Sequence, residues 1–276
     1  DQRAASTFTA RSGTVYMTGT GDTLTLSGSS AFNNLTLDSG LIGYWKFDEG
    51  TGMVAKDSSR NSNDGTLTNG PVWTGSTLDS TASVNYFNPH ALDLDGTDDY
   101  VTISNTSLTN GIKALTISVW AKWDTAISAN YDSLIAMRGS SYWSISHPSN
   151  GTISGFPNGS NLTVSSVDVG NWNHYVMVLN TDTDRLIIND GEYSDTATGT
   201  WPIAQNDNIY IGYDDLGGRN WAGQIDDVRL YNRELSSSEI SALAAGSSGG
   251  GSGRYVLGAA LDIDGDLALY DSTLDV

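Results

Sequence analysis

The sequence predicts an all-β protein built around a two-sheet sandwich. Three observations carry this: apolar residues alternate over many short runs, turn residues separate nearly all of those runs, and helical spacing is clear over only one short segment. At 276 residues the chain is long enough to bury a sizeable core.

Taken in order, the first 40 residues carry short strands at Thr14–Met17, Thr23–Leu26 and Asn34–Leu37, punctuated by Gly and Ser. The central strands fall at Leu92–Leu94, Tyr100–Ile103, Leu115–Trp123, Ser133–Met137, Trp143–Ile145, Tyr175–Leu179, Arg185–Ile188, Asn208–Gly212 and Ile225–Tyr231. Ser236 and Glu239 ahead of Ile240 and Leu243 have capping-box spacing, which predicts a helix over 236–243. The run 246–253, all Gly and Ser, reads as a flexible joint. Beyond it, short strands recur at Tyr255–Leu257, Leu261–Ile263, Leu267–Leu269 and Thr273–Val276. Four parts follow: an N-terminal β flank (1–40), a central domain (41–246), a linker (247–253) and a C-terminal β flank (254–276). Neither flank has the apolar residues to fold alone. Each resembles half of a short-strand repeat unit of very large bacterial surface proteins. On that resemblance the central domain is an insertion in a loop of the repeat, the flanks pair in one small β layer, and the chain is excised from a longer array.

The central domain closes on Gly223-Gln-Ile-Asp-Asp-Val-Arg-Leu-Tyr-Asn-Arg-Glu-Leu-Ser236. Far upstream stand Gly43-Tyr-Trp-Lys-Phe-Asp-Glu-Gly-Thr-Gly52, Asp57-Ser-Ser and Asn63-Asp-Gly-Thr-Leu67. Between them lie Ala91-Leu-Asp-Leu-Asp-Gly-Thr-Asp-Asp-Tyr-Val101 with Leu115–Trp120, and Asn171-Trp-Asn-His-Tyr-Val176 with Leu186–Gly191. These pieces, in this order over Leu41–Ala245, resemble laminin G-like domains of the concanavalin A-like lectin and glucanase superfamily. The resemblance implies a jelly roll, with Trp45, Trp120, Trp172 and Trp221 as framework aromatics. It also implies a structural calcium between the opening loop and the closing strand, held by Asp57 and Asp226 with backbone carbonyls near Asn61 and Asn63, and with Asp48 and Asp64 as further possibilities.

The residues themselves bear on calcium too. Asp57-Ser-Ser-Arg-Asn-Ser-Asn-Asp-Gly65 is rich in the oxygens a hard cation takes. The same residues suit Asx turns, with Asp226 paired to Arg229 or Arg233. Asp93, Asp95 and Asp98 lack the twelfth-position acid of an EF-hand, which would fall at Ser104, so a hairpin turn is expected there.

Charge narrows the partners. Thirty-two acids against 13 Lys and Arg give a net charge of −19, which repels nucleic-acid phosphates and anionic membranes. No apolar run approaches the roughly 20 residues of a membrane helix, and the N-terminus lacks a signal-peptide layout. With no cysteine, disulfides and thiolate metal sites are excluded. The Ser, Thr, Gly and Asn content and the 8 Trp and 13 Tyr resemble secreted or surface β proteins.

Enzyme chemistry finds little to work with. The Glu residues, at 49, 192, 234 and 239, never pair along a strand face as a glucanase requires. Asp93/Asp95 and Asp262/Asp264 run into Gly turns. The histidines at 90, 147 and 174 accompany no nucleophile elbow and no zinc spacing, and His174 enters an alternating strand as a packing residue. Sugar binding needs aromatic faces beside amide, carboxylate or guanidinium groups near strand ends, and Tyr142, Trp143, Trp201, Tyr213 and Arg219 supply them. The expectation is a non-catalytic extracellular module for recognition or adhesion, binding glycan or another cell-surface molecule, with a structural calcium. Its competitor is a structural building block of a surface layer or filament that joins adjacent repeats, or its own copies, through flank strands.

Overall fold

Where one face of a strand is buried, alternation fixes its register, and register sorts the central strands into two antiparallel sheets. The structure is a computed structural model. It describes residues 14–17, 30–32, 34–38, 40–75, 90–104, 107–124, 132–138, 142–149, 151–157, 161–168, 170–191, 193–198, 207–215, 219–245, 254–256, 261–263, 267–270 and 273–275.

The chain begins with β1 (Thr14–Met17), β2 (Ser30–Phe32) and β3 (Asn34–Asp38). The central domain opens with β4 (Leu41–Trp45), β5 (Val54–Ala55), β6 (Gly65–Thr68), β7 (Val72–Gly75), β8 (His90–Asp95) and β9 (Tyr100–Ile103). It continues through β10 (Leu115–Trp123), β11 (Asp132–Met137), β12 (Trp143–Ser149), β13 (Thr152–Pro157) and β14 (Leu162–Ser165). It closes with β15 (Asn173–Leu179), β16 (Thr183–Ile188), β17 (Tyr193–Thr198), β18 (Ile209–Ile211), β19 (Ala222–Tyr231) and the helix α1 (Ser237–Ala244). After it come β20 (Arg254–Val256), β21 (Leu261–Ile263), β22 (Leu267–Tyr270) and β23 (Thr273–Asp275).

The first sheet has the order β17-β16-β15-β10-β19-β8-β7, with β4 also on β19, and the second β14-β13-β12-β11-β18-β9-β6-β5. Their inner faces share one core, with Trp45, Trp143 and Trp221 fully buried. Strand β15 is apolar on both faces because both are covered. Tyr175 and Met177 enter the sandwich core, while Val176 and Val178 pack with Tyr231, Leu235, Ile240 and Leu243 beneath α1.

The closing strand explains an irregular pattern. Ile225, Val228 and Leu230 all reach the core although the first two are three residues apart. The ladder slips between Ser118 and Trp120, and Asp227 takes a positive φ of 49°. This bulge lets one strand bury two successive acids. Asp226 is fully buried, its Oδ1 accepting from the Asp227 amide at 2.8 Å. Asp227 Oδ1 accepts from the Tyr44 hydroxyl at 2.6 Å and from Arg229 Nη2 at 3.3 Å, and Arg229 Nη2 also donates to Tyr44 Oη at 2.7 Å. Of the two arginines that the alternative to calcium offered Asp226, Arg229 pairs with Asp227 and Arg233 with Glu239.

Other expectations change. The Asp98-Asp99 turn is no hairpin, because β8 lies in the first sheet and β9 in the second, so the turn carries the chain across the sandwich. Strands β2, β4 to β7, β13, β14 and β17 were not among the strands expected from the sequence; Gly155 and Pro157 break the apolar alternation of β13. The Thr23–Leu26 strand lies outside the described residues.

The chain divides into two units, 1–40 with 249–276 and 41–248. In the first, strands of the two flanks pair with each other: Leu35 lies opposite Leu267 on β3 and β22, and Ala31 opposite Asp262 on β2 and β21. This cross-flank pairing is parallel and falls in two short sheets among the described residues, β1-β3-β22 and β2-β21, with β20-β23 a third sheet inside the C-terminal flank. Thr14 opposite Asn34 and Arg254 opposite Thr273 are parallel partners within one flank, a geometry that requires the chain to coil instead of folding back.

Candidate functional site

A structural calcium at the opening loop is tested by the donors already present there. The Asp57 carboxylate accepts from the amides of Tyr44 (2.9 Å), Ser59 (2.8 Å) and Asn63 (2.8 Å) and from the Ser59 hydroxyl (2.9 Å). A carboxylate offers about four lone-pair directions, and these four donors take them. The Asn63 carbonyl accepts from Trp45 Nε1 at 3.0 Å, and the Asn61 amide donates to the Ile42 carbonyl at 2.9 Å. Asp64 accepts from Lys56 Nζ at 2.6 Å and from the Asp57 amide at 2.9 Å; the lysine contact holds its carboxyl below the usual range. Among the described residues, Asp57, Asp64 and Asp226 form no three-acid group. The loop is closed by N–H groups, and Asp57, Asn61, Asn63, Asp64 and Asp226 as arranged do not fit a cation. Nearby, burial and repulsion from Asp227 push Asp48 up to about 6.

The predicted ligand-binding residues divide differently. In the second sheet, inward Met137, Trp143, Ile135, Ile145, Ile209 and Ile211 leave Ala136, Ser144 and Tyr210 pointing outward, and Phe156 and Thr102 continue that row on β13 and β9. Trp143 is therefore a core residue, 0% exposed, and offers no face to a ligand. Trp201 lies outside the described residues. Tyr142, Tyr213 and Arg219, all half-buried, are drawn together by residues the sequence reading did not single out. The Arg138 guanidinium lies 4.4 Å over the Tyr142 ring and reaches Asp214 through Nε at 2.8 Å and through Nη2. Arg219 Nη1 reaches the same carboxylate at 3.4 Å. Next to Asp214, Tyr213 stacks on Tyr100 with centroids 4.8 Å apart and 24° between planes, and meets Tyr210 edge-on at 5.5 Å. Burial, followed by the Asp215 charge, raises the Tyr213 hydroxyl pKa.

Beside this aromatic and arginine cluster the residues facing away from the core are small: Ser133, Ser146, Ser154 and Thr163 are neighbours across β11 to β14. Of these only Thr163 is exposed, and the hydroxyls of Ser133 and Ser144 are buried without a hydrogen-bond partner. The part of this face that reaches solvent combines flat tyrosine rings with guanidinium donors fixed from beneath by the buried Asp214, a chemistry that suits a polyhydroxylated ring. The signal in the sequence was the alternation Ile209-Tyr210-Ile211: two inward isoleucines make the tyrosine between them outward.

On the outer face of the first sheet, a separate cavity of about 530 Å³ is lined by Asp93, Gln224 and Lys122, which are cross-strand neighbours, together with Asp124. Burial, then the Asp124 charge, raises the pKa of Asp93.

Solved structures similar to this one include the binding domain of Paraclostridial Mosquitocidal Protein 1, with TM-score 0.59 and 16% identity over 74% of this chain and 52% of that one. The receptor binding domain of botulinum neurotoxin D has TM-score 0.56 and 15% identity over 76% of this chain and 53% of that one. This chain thus spans about half the length of the toxin binding domains. Domain 4 of AbnA, a GH43 extracellular arabinanase from Geobacillus stearothermophilus solved in complex with arabinotriose, has TM-score 0.53 and 16% identity over 74% of this chain and 98% of that one. At these identities the likeness is one of fold. No curated protein matches the chain. Residues 95–241 match the family model of the Concanavalin A-like lectin/glucanases superfamily, and with its two antiparallel sheets in place the chain belongs to that superfamily.

Proposed function

We propose that the central domain is a non-catalytic glycan-recognition module of an extracellular protein, and that the ligand lies on the outer face of the second sheet against Tyr213, Tyr142 and Arg219. The observation that carries this reading is the half-buried Tyr100–Tyr213 stack beside half-buried Arg138 and Arg219, both held by the buried Asp214. The arabinanase domain solved with arabinotriose, and a botulinum neurotoxin binding domain solved with SialylT, are proteins of this fold whose structures carry sugars. Asp214, buried beneath the face, is clamped by two guanidinium groups. Glycoside hydrolysis needs two carboxyl groups that trade a proton or a covalent bond, and this clamp suits orientation instead.

The test is binding of the purified chain to arabino-oligosaccharides and to a broad glycan array, repeated with Tyr213→Ala and Arg219→Ala. Loss of an aromatic platform costs about 1–2 kcal/mol, or roughly a fivefold to thirtyfold weaker Kd, with the circular dichroism spectrum unchanged. A blank array, or variants that bind as well as the native chain, overturns the reading. The coiled parallel pairing of the flanks favours a second one, a structural module in a repeat array. A blank array together with concentration-dependent assembly in sedimentation would select it.

A further inference from the structure

The turn between β8 and β9 holds a concentration of acceptors that neither the fold nor the glycan reading uses. Asp95, Asp98 and Asp99 each bring one carboxylate oxygen to a common point, all within 4.8 Å of one another. Asp95 Oδ1 accepts from the Thr97 amide at 2.7 Å, and Asp99 Oδ2 accepts weakly from the Asp95 amide at 3.2 Å. Asp95 and Asp98 are exposed, while Asp99 is 5% exposed. Burial, then repulsion from Asp95, Asp98 and Asp93, raises the pKa of Asp99. On their own, three acids at a turn are a solvated surface.

A residue from a distant part of the chain changes that. Asn220 is 9% exposed, and its Nδ2 docks on this turn by donating to the Thr97 carbonyl at 2.5 Å. Its Oδ1 is buried and has no hydrogen-bond partner. A buried acceptor without a donor has lost its water and gained nothing in exchange. The groups gathered at this turn, three carboxylates and a carbonyl, are acceptors as well. Apart from the turn's own amides, of Thr97 and Asp98 on Asp95 Oδ1 and of Asp95 on Asp99 Oδ2, these carboxylates meet no donor among the described residues, and converging oxygens of this kind are what a hard cation requires.

We propose that this turn is a divalent-cation site of calcium type, with the carboxylates of Asp95, Asp98 and Asp99 and the Oδ1 of Asn220 as protein ligands and water completing the shell. Two ligands on one calcium, each at about 2.3–2.6 Å, stand up to about 5 Å apart, so a 4.8 Å spread fits one ion. The site lies apart from the opening loop, whose carboxylate is already saturated. The ion would tie the turn that leads into Tyr100 to the segment that carries Arg219, two residues of the candidate glycan face, but the proposal does not rest on that face binding sugar.

Calorimetric titration of the full chain with calcium chloride, with Tyr100 and Trp221 as antennae for terbium luminescence, tests it. The variant Asp95→Asn/Asp98→Asn keeps the side-chain oxygen that caps the turn and removes two charges. Asp168→Asn/Asp182→Asn removes the same charge from exposed positions elsewhere. The expected result is one calcium per chain, bound at least tenfold more weakly by the first variant and unchanged in the second, with both variants melting like the native chain in chelator. No calcium uptake by the native chain, or equal uptake by the Asp95/Asp98 variant, overturns the proposal.

Discussion

Three backbone amides, those of Tyr44, Ser59 and Asn63, end on the carboxylate of Asp57, which thereby holds the opening loop against β4. Composition counts oxygens and misses these donors, because every residue carries an amide whatever its side chain. That is why the loop, read from its oxygens, pointed to a cation ahead of turns. Replacing Asp57 with Ala strands three donors in a half-buried place, and we expect a loss of about 2–4 kcal/mol in urea denaturation. The loss should be the same in calcium and in chelator; a loss seen only with calcium present would make Asp57 a metal ligand after all. Trp143 illustrates a different blind spot. Its run, Ser141-Tyr-Trp-Ser-Ile-Ser-His, alternates clearly, but alternation tells which residues share a face and leaves open which face is inward. Pairing with Met137 on β11 settles it: Trp143 enters the core, and the outward role falls to residues around Tyr142 and Tyr213.

At the scale of elements, the closing strand and its helix were the most legible part of the chain. The capping box is present: Glu239 Oε2 accepts from the Ser236 amide at 2.8 Å, and Ser236 Oγ accepts from the Glu239 amide at 3.4 Å. Glu239 is also gripped by Arg233 at 2.8 Å, so the box anchors the corner as well as the helix. Ser236→Ala should cost about 1 kcal/mol of global stability, because α1 covers Val176 and Val178 and cannot fray without exposing them. Equilibrium denaturation with an unchanged midpoint would show that α1 contributes little to the cooperative unit. The bulge in β19 was written in the same stretch as the break from two-residue to three-residue spacing between Ile225 and Val228, a cue legible once the register is known. Strands such as β13 stayed hidden because glycine and proline dilute the period on which strand recognition depends, while their neighbours in the sheet supply the pairing.

For the whole molecule, the order of family-like segments carried the fold further than any single motif, since laminin G-like pieces far apart in sequence return to adjacent strands: β4 lies beside β19, and β8 beside β19 on the other part of its length. Parallel coiling of the flanks was not legible, because short alternating strands look alike in parallel and antiparallel sheets. The same global view yields a pH dependence. His147 and His174 are both about 1% exposed, and burial pushes their pKa values down to about 4 and about 3. With folded values below the 6.5 of an exposed histidine, the unfolded chain takes up protons first as pH falls through 6.5, so the stability tied to the neutral rings is full above that pH and is lost below it. Asp48 acts in the opposite sense: raised to about 6, it binds a proton in the folded state before the unfolded one does. Asp93, Asp99 and Asp132, whose pKa values burial also raises, act in the same sense as Asp48, so the histidines govern the upper part of the acid range. We expect thermal stability to fall as pH drops from 7 toward about 6, with a slope on the order of 1 kcal/mol per pH unit, and His147→Gln to flatten that slope. A melting temperature that rises on acidification through this window would mean that relief of the −19 net charge, and not the buried rings, governs the acid response.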